Sequence, residues 1–123
     1  MKPSQYRLNA LFVCSRNRWR SPTAERIFRN HSRLSVRSCG LSAKSPRTLT
    51  ADDLLWADIV FPMEAKHRSR ILGEFRNALG NTHMHVLEIP DDYQYMDPEL
   101  VQLLTDRVEE YLQTLFSGFD ADQ

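Results

Sequence analysis

Little in this chain could staple it or hold a metal. Among 123 residues there are 2 cysteines, Cys14 and Cys39, enough for one bridge at most. That excludes the disulfide-framed class of small secreted domains. Glycine (4) and proline (6) are sparse, and there are no repeats, linkers or low-complexity tracts. No apolar run is long enough to cross a bilayer. The segment Met1–Arg7 lacks a signal-peptide pattern, because its apolar stretch is too short. Neither sign of charge prevails, with 16 Lys plus Arg against 16 Asp plus Glu. No overall pull toward nucleic acid or a membrane surface follows. His83 and His85 alternate as strand neighbours do, but no carboxylate or cysteine cluster completes a metal site. No metal and no cofactor are expected, and a reducing, cytoplasmic compartment fits.

What is present is concentrated in one stretch. The apolar run Leu11-Phe12-Val13 leads into Cys14-Ser15-Arg16-Asn17-Arg18-Trp19-Arg20, and Ser21-Pro22 follows. Proline fits the first turn of a helix. The loop therefore joins the C-terminal end of a strand to the N-terminus of a helix, where backbone amides and the helix dipole favour phosphate. Such a field also favours a thiolate over a thiol. Cys14 is thus a candidate nucleophile. Arg20 offers a planar fork for bidentate phosphate binding. Ser21 could donate to the Cys14 sulfur, and Asn17 tolerates the left-handed backbone of a tight turn. Arg16, Arg18 and Arg20 together favour an anionic substrate. A buried structural cysteine beside solvated arginines is the plainer alternative, but the strand, loop and helix context outweighs it.

The residues Leu11 to Glu25 resemble the signature of the low-molecular-weight protein tyrosine phosphatases: an apolar strand, V-C-x-G-N-x-C-R-S-P, a small residue and Ala-Glu. The resemblance implies a phosphocysteine mechanism without metal. It implies that Ser15, Arg16, Asn17, Arg18, Trp19 and Ser21 form the phosphate loop around Cys14 and Arg20. It also implies that Ser38, in Ser38-Cys39-Gly40, supports that loop together with Asn17 and Ser21. Two positions depart from the pattern. Arg16 stands where the family has glycine, and Trp19 where it has a second cysteine. The segment between Gly40 and Thr50 is shorter than in typical members, which carry a further helix and part of the substrate mouth there.

Strands are expected at Leu8–Val13, Leu34–Ser38, Ile59–Met63 and His85–Ile89. Helices are expected at Pro22–Asn30, Ala51–Trp56 (capped by Thr50), Glu64 to about Phe75, and from Asp97-Pro98 onward. Gly73 and Gly80 mark irregular structure, and Lys66 and His67 suit a solvated helix face. Alternating strands and helices predict an α/β fold with a parallel sheet covered on both faces, three layers in all. The resemblance implies four strands in the order 2-1-3-4. One domain spans residues 1–123, with residues 118–123 expected as a mobile tail. Ligands in such sheets bind beyond the carboxyl ends of the strands.

Cleaving an aryl phosphate requires a proton for the leaving oxygen. Asp91, Asp92 and Asp97 follow the fourth strand, with Asp106 more distant. The resemblance, through Ile89-Pro90-Asp91-Asp92-Tyr93, makes Asp91 the general acid and Tyr93 a substrate wall. Asp92 and Asp97 are the alternatives, and Asp97 has a competing role as a helix cap. The expected activity is hydrolysis of a phosphotyrosyl protein or a small aryl phosphate. A phosphate-binding module with weak or no catalysis is the second reading. An arsenate reductase is the third, and it lacks the further thiols that chemistry uses.

Overall fold

A computed structural model describes residues 7–121, without the side chains of 118–121. The strands are β1 (Leu8–Cys14), β2 (Leu34–Gly40), β3 (Ile59–Pro62) and β4 (His83–Met84). The helices are α1 (Arg20–Phe28), α2 (Ala51–Trp56), α3 (Ala65–Glu74), α4 (Arg76–Leu79) and α5 (Pro98–Ala121). The four strands form one sheet in the order β2-β1-β3-β4, and each pairing is parallel. This is the expected α/β architecture.

Strand periodicity divides the core into two halves. Ala10, Phe12 and Cys14 of β1 face α1 and α5, joining Phe28, Phe61, Leu100, Leu104 and Val108. Leu11 and Val13 face the other way, toward Leu54 of α2, Ile71 of α3 and Leu79 of α4. Residues Ala10 to Cys14 are buried on both faces, as suits the inner strand of a parallel sheet. Fully burying each Leu or Phe contributes about 1.5–3 kcal/mol. β1 is therefore rigid at the point where it delivers Cys14.

Several boundaries differ from expectation. α1 begins at Arg20, two residues before the proline, because Thr23 N–H bonds back to the Trp19 carbonyl at 3.1 Å. The fourth strand is formally only His83–Met84, although the amides of His85, Leu87 and Ile89 still donate to Val60, Pro62 and Met63. A parallel ladder needs returning N–H bonds from the neighbour, and Pro62 has none to give. The expected His85–Ile89 strand is thus hydrogen-bonded from its own side only. Gly73 lies within α3 rather than at a break, whereas Gly80 (φ 53°) does end α4. His67 is buried at 2 % exposure, which corrects the solvated helix face, while Lys66 is exposed. α5 continues to Ala121, and residues 122–123 of the expected tail lie outside the described residues. The segment 41–50 contains no helix.

Candidate active site

The loop from Cys14 to Arg20 closes around the cysteine sulfur. Asn17 takes the left-handed conformation (φ 53°), and its amide points at Cys14 Sγ from 3.2 Å. The amides of Ser15, Arg16, Arg18 and Trp19 have no acceptor among the described residues. They are donors available to an anion above the sulfur. Gly40 lets the loop sit this low. A Cβ there would meet the Asn17 nitrogen at 2.7 Å and the Arg16 carbonyl carbon at 2.8 Å. Arg16 itself has no positive φ, so the arginine at the family's glycine position brings no left-handed strain.

Hydrogen-bond directions follow from the donors present. The Asn17 side-chain Nδ2 donates to Ser21 Oγ at 2.9 Å and to Ser38 Oγ at 3.0 Å. Ser38 passes its own hydrogen to Glu25 Oε1. Ser21 is then left to donate to Cys14 Sγ, 3.0 Å away, with the Cys39 carbonyl a weaker choice at 3.3 Å. A hydroxyl donating to the sulfur stabilises negative charge on it. Glu25 anchors this chain of bonds. It lies four residues after Ser21, one helical turn on, and that spacing was the available signal for it.

Arg20 is 2 % exposed and firmly held. Its Nη1 donates to Glu64 Oε1 at 2.6 Å and to the Ile89 carbonyl at 2.8 Å. The Nε–Nη2 edge remains for a bidentate anion, and Asp91 Oδ1 stands 3.6 Å from Nε. Partial burial pushes the Glu64 carboxyl up, but the hydrogen bond and charge of Arg20 outweigh it and hold the group below the usual carboxylate range.

Glu64 and His67 form a reciprocal cap at the start of α3. The Glu64 amide donates to His67 Nδ1 at 3.1 Å, so the proton sits on Nε2, which donates to Ser15 Oγ at 2.9 Å. Burial, then the charge of Arg20, lower His67 from 6.5 to about 4. The folded chain therefore refuses a proton that the unfolded chain binds between those values. Stability should fall as pH drops from about 6.5 toward 4. Urea unfolding at the two ends of that range should show less acid destabilisation in His67→Gln than in wild type. An equal loss in both proteins would remove His67 from this role.

The cleft above Cys14 encloses about 280 Å³ and is lined by Cys14, Ser15, Arg16, Arg18, Trp19, Arg20 and Asp91. Asp91 is thus brought to the loop, while Asp92 and Asp97 do not line the cleft. Asp97 caps α5, its Oδ1 accepting from the Glu99 amide at 2.9 Å. Asp106 lies within α5, bonded to Gln102. Tyr93 packs half-buried against the core, and the aromatic ring lining the cleft is that of Trp19. Thr23, passed over in the sequence, ties the segment between Ile89 and α5 to α1. Its hydroxyl donates to the Trp19 carbonyl at 2.6 Å and accepts from the Met96 amide at 2.9 Å.

Cys39 is a different kind of cysteine. Burial, then the Asp53 carboxylate, push its thiol far up, and both cysteines are free. His85 stacks on Tyr111 with centroids 4.2 Å apart. No group of three potential metal ligands occurs among the described residues.

The sequence matches no family model and no curated protein. Its structure does match solved ones. An arginine phosphatase, YwlE from Geobacillus stearothermophilus, is 24% identical, with 87% of this chain and 94% of that one covered and a TM-score of 0.65. The tyrosine phosphatase Wzb from Escherichia coli K30, in complex with sulphate, is 21% identical over 87% and 97% of the chains, with a TM-score of 0.68. A low-molecular-weight protein tyrosine phosphatase from Streptococcus pyogenes is 17% identical over 88% and 93%, with a TM-score of 0.72. The fold of this chain is the fold of these phosphatases.

Proposed function

We propose that this chain, built on the low-molecular-weight tyrosine phosphatase fold, is a metal-independent phosphomonoester hydrolase acting through a phosphocysteine. The observation that carries the reading is the joining in one cleft of a cysteine sulfur, unpaired loop amides, a fixed guanidinium edge and a carboxylate.

The phosphoryl group binds with its oxygens on the loop amides and on the Nε–Nη2 edge of Arg20. Cys14 attacks phosphorus in line with the ester oxygen. The S–P bond forms as the P–O bond breaks, and Asp91 gives its proton to the departing oxygen. Charge on the equatorial oxygens is met by donors already in place. Asp91, now a carboxylate, takes a proton from water as that water attacks phosphorus. The S–P bond breaks and the Cys14 thiolate returns, with Ser21 donating to it. An aryl ester such as phosphotyrosine suits the Trp19 wall. A reducing compartment suits the free thiol, and no helix among the described residues is long and apolar enough to cross a membrane.

A phosphate-binding module is the competing reading. Two observations favour it: Arg20 is already paired with Glu64, and Asp91 is 57% exposed. Aryl phosphate hydrolysis in the presence of chelator and reductant separates the two readings. The acid role has its own test. Asp91→Asn should slow esters of poor leaving groups far more than good ones, since a good leaving group departs without a proton. Its rates should depend steeply on leaving-group pKa where wild type is shallow. If Asp92→Asn or Asp97→Asn steepens the dependence instead, Asp91 is not the acid.

A further inference from the structure

Arg16 and Arg18 are both exposed and both line the cleft, yet neither has a carboxylate within 4 Å among the described residues. The chain is neutral overall, so this pair is a local excess of positive charge. Asn17 between them is buried and bonded inward to Ser21 and Ser38, which leaves the flanking side chains on the solvent side of the loop. Arg18 has a defined seat, its guanidinium carbon 5.0 Å from the centroid of the Trp19 ring. The cleft's one acidic residue, Asp91, is already beside Arg20. Once Arg20 and the loop amides hold the reacting phosphoryl group, two cations at the rim stay uncompensated.

We propose that Arg16 and Arg18 form a second anion subsite, and that the substrate is a phosphomonoester whose leaving group carries another anionic group near the phosphate. The inference rests on the phosphatase reading and names the substrate class of the same site. A carboxylate or second phosphate on the leaving group would meet both guanidinium groups at the rim. The same field opposes a cationic leaving group such as the guanidine of phosphoarginine. Exposed pairs are individually weak, so the preference should be about tenfold at low salt and should shrink as salt rises.

The test compares 4-(carboxymethyl)phenyl phosphate with its methyl ester, since the methylene insulates the phenol and keeps the two leaving groups alike. A phosphotyrosyl peptide flanked by aspartates is compared in parallel with the same peptide flanked by asparagines. The readout is the kcat/KM ratio within each pair, which cancels any general effect of a loop substitution. Wild type should prefer the anionic member, and Arg16→Ala and Arg18→Ala should each reduce the ratio. Preference in the small esters places the second anion on the aryl group itself. Preference in the peptides alone places it on the flanking chain. Ratios near one in wild type, or ratios unchanged in both variants, overturn the subsite. Failure to hydrolyse any of the four overturns the phosphatase reading instead. Titration of 4-(carboxymethyl)benzylphosphonate against benzylphosphonate then decides the subsite by binding alone: tighter binding of the carboxylate, lost in the two variants, upholds it, and equal binding overturns it.

Discussion

Cys14→Ser should abolish aryl phosphate hydrolysis, with kcat falling by a factor on the order of 10⁴ to 10⁶, as for loss of a catalytic nucleophile elsewhere. Serine keeps the shape and the contact with Ser21, but it supplies no comparable anion at neutral pH. The fold should survive, because the sulfur is replaced by a smaller atom at the end of a strand buried on both faces. The variant should therefore still bind phosphate while failing to turn over. Rapid denaturation of wild type during turnover should trap phosphate on Cys14 and none on Cys39, whose buried thiol is held protonated. Activity retained by Cys14→Ser, or label on Cys39, would end the phosphocysteine mechanism.

Arg20→Lys should be nearly as damaging, lowering kcat/KM by about 10²–10³-fold. An ammonium can keep the ion pair with Glu64, and so the substitution separates charge from shape. What it loses is the planar group that reaches Glu64, the Ile89 carbonyl and an anion at once. The loss should appear in both kcat and KM, because ground-state oxygens and transition-state charge use the same Nε–Nη2 edge. A variant with unchanged kcat and KM would mean that the guanidinium does not hold the phosphate.

The loop was legible because its chemistry is local. Cys14, Asn17, Arg20 and Ser21 lie within eight consecutive positions, and a strand run and a helix start bracket them. The strand order came from the resemblance rather than from periodicity, which cannot order a sheet. Ser38 came from the resemblance, and Asn17 does donate to it, but the supports on α3 were not legible, for a common reason. Glu64 reaches Arg20 across 44 positions and His67 reaches Ser15 across 52. Periodicity read α3 as a polar helix and assigned its first turn to solvent. It missed that a reciprocal cap turns Glu64 and His67 toward the loop. Thr23 was hidden similarly, since a buried threonine in a helix looks like filler until the Met96 amide is brought to it. The fourth strand was misplaced because a sequence shows apolar runs but not which amides a proline withholds.

The end of that one-sided strand bears on how the two proposed halves of the reaction relate. A strand bonded from one side has spare carbonyls, and Arg20 takes the one on Ile89. Asp91 lies two residues further along the same segment. In the proposed mechanism, the arginine assigned to the phosphate is therefore also a strut for the segment that carries the proposed acid. Substitutions at the two positions should not multiply: once Arg20 is lysine, the loss of Ile89's tether already displaces the acid, and removing Asp91 should cost less than it does in wild type. Substrate binding and proton delivery would then be one mechanical unit, loaded through a single backbone oxygen.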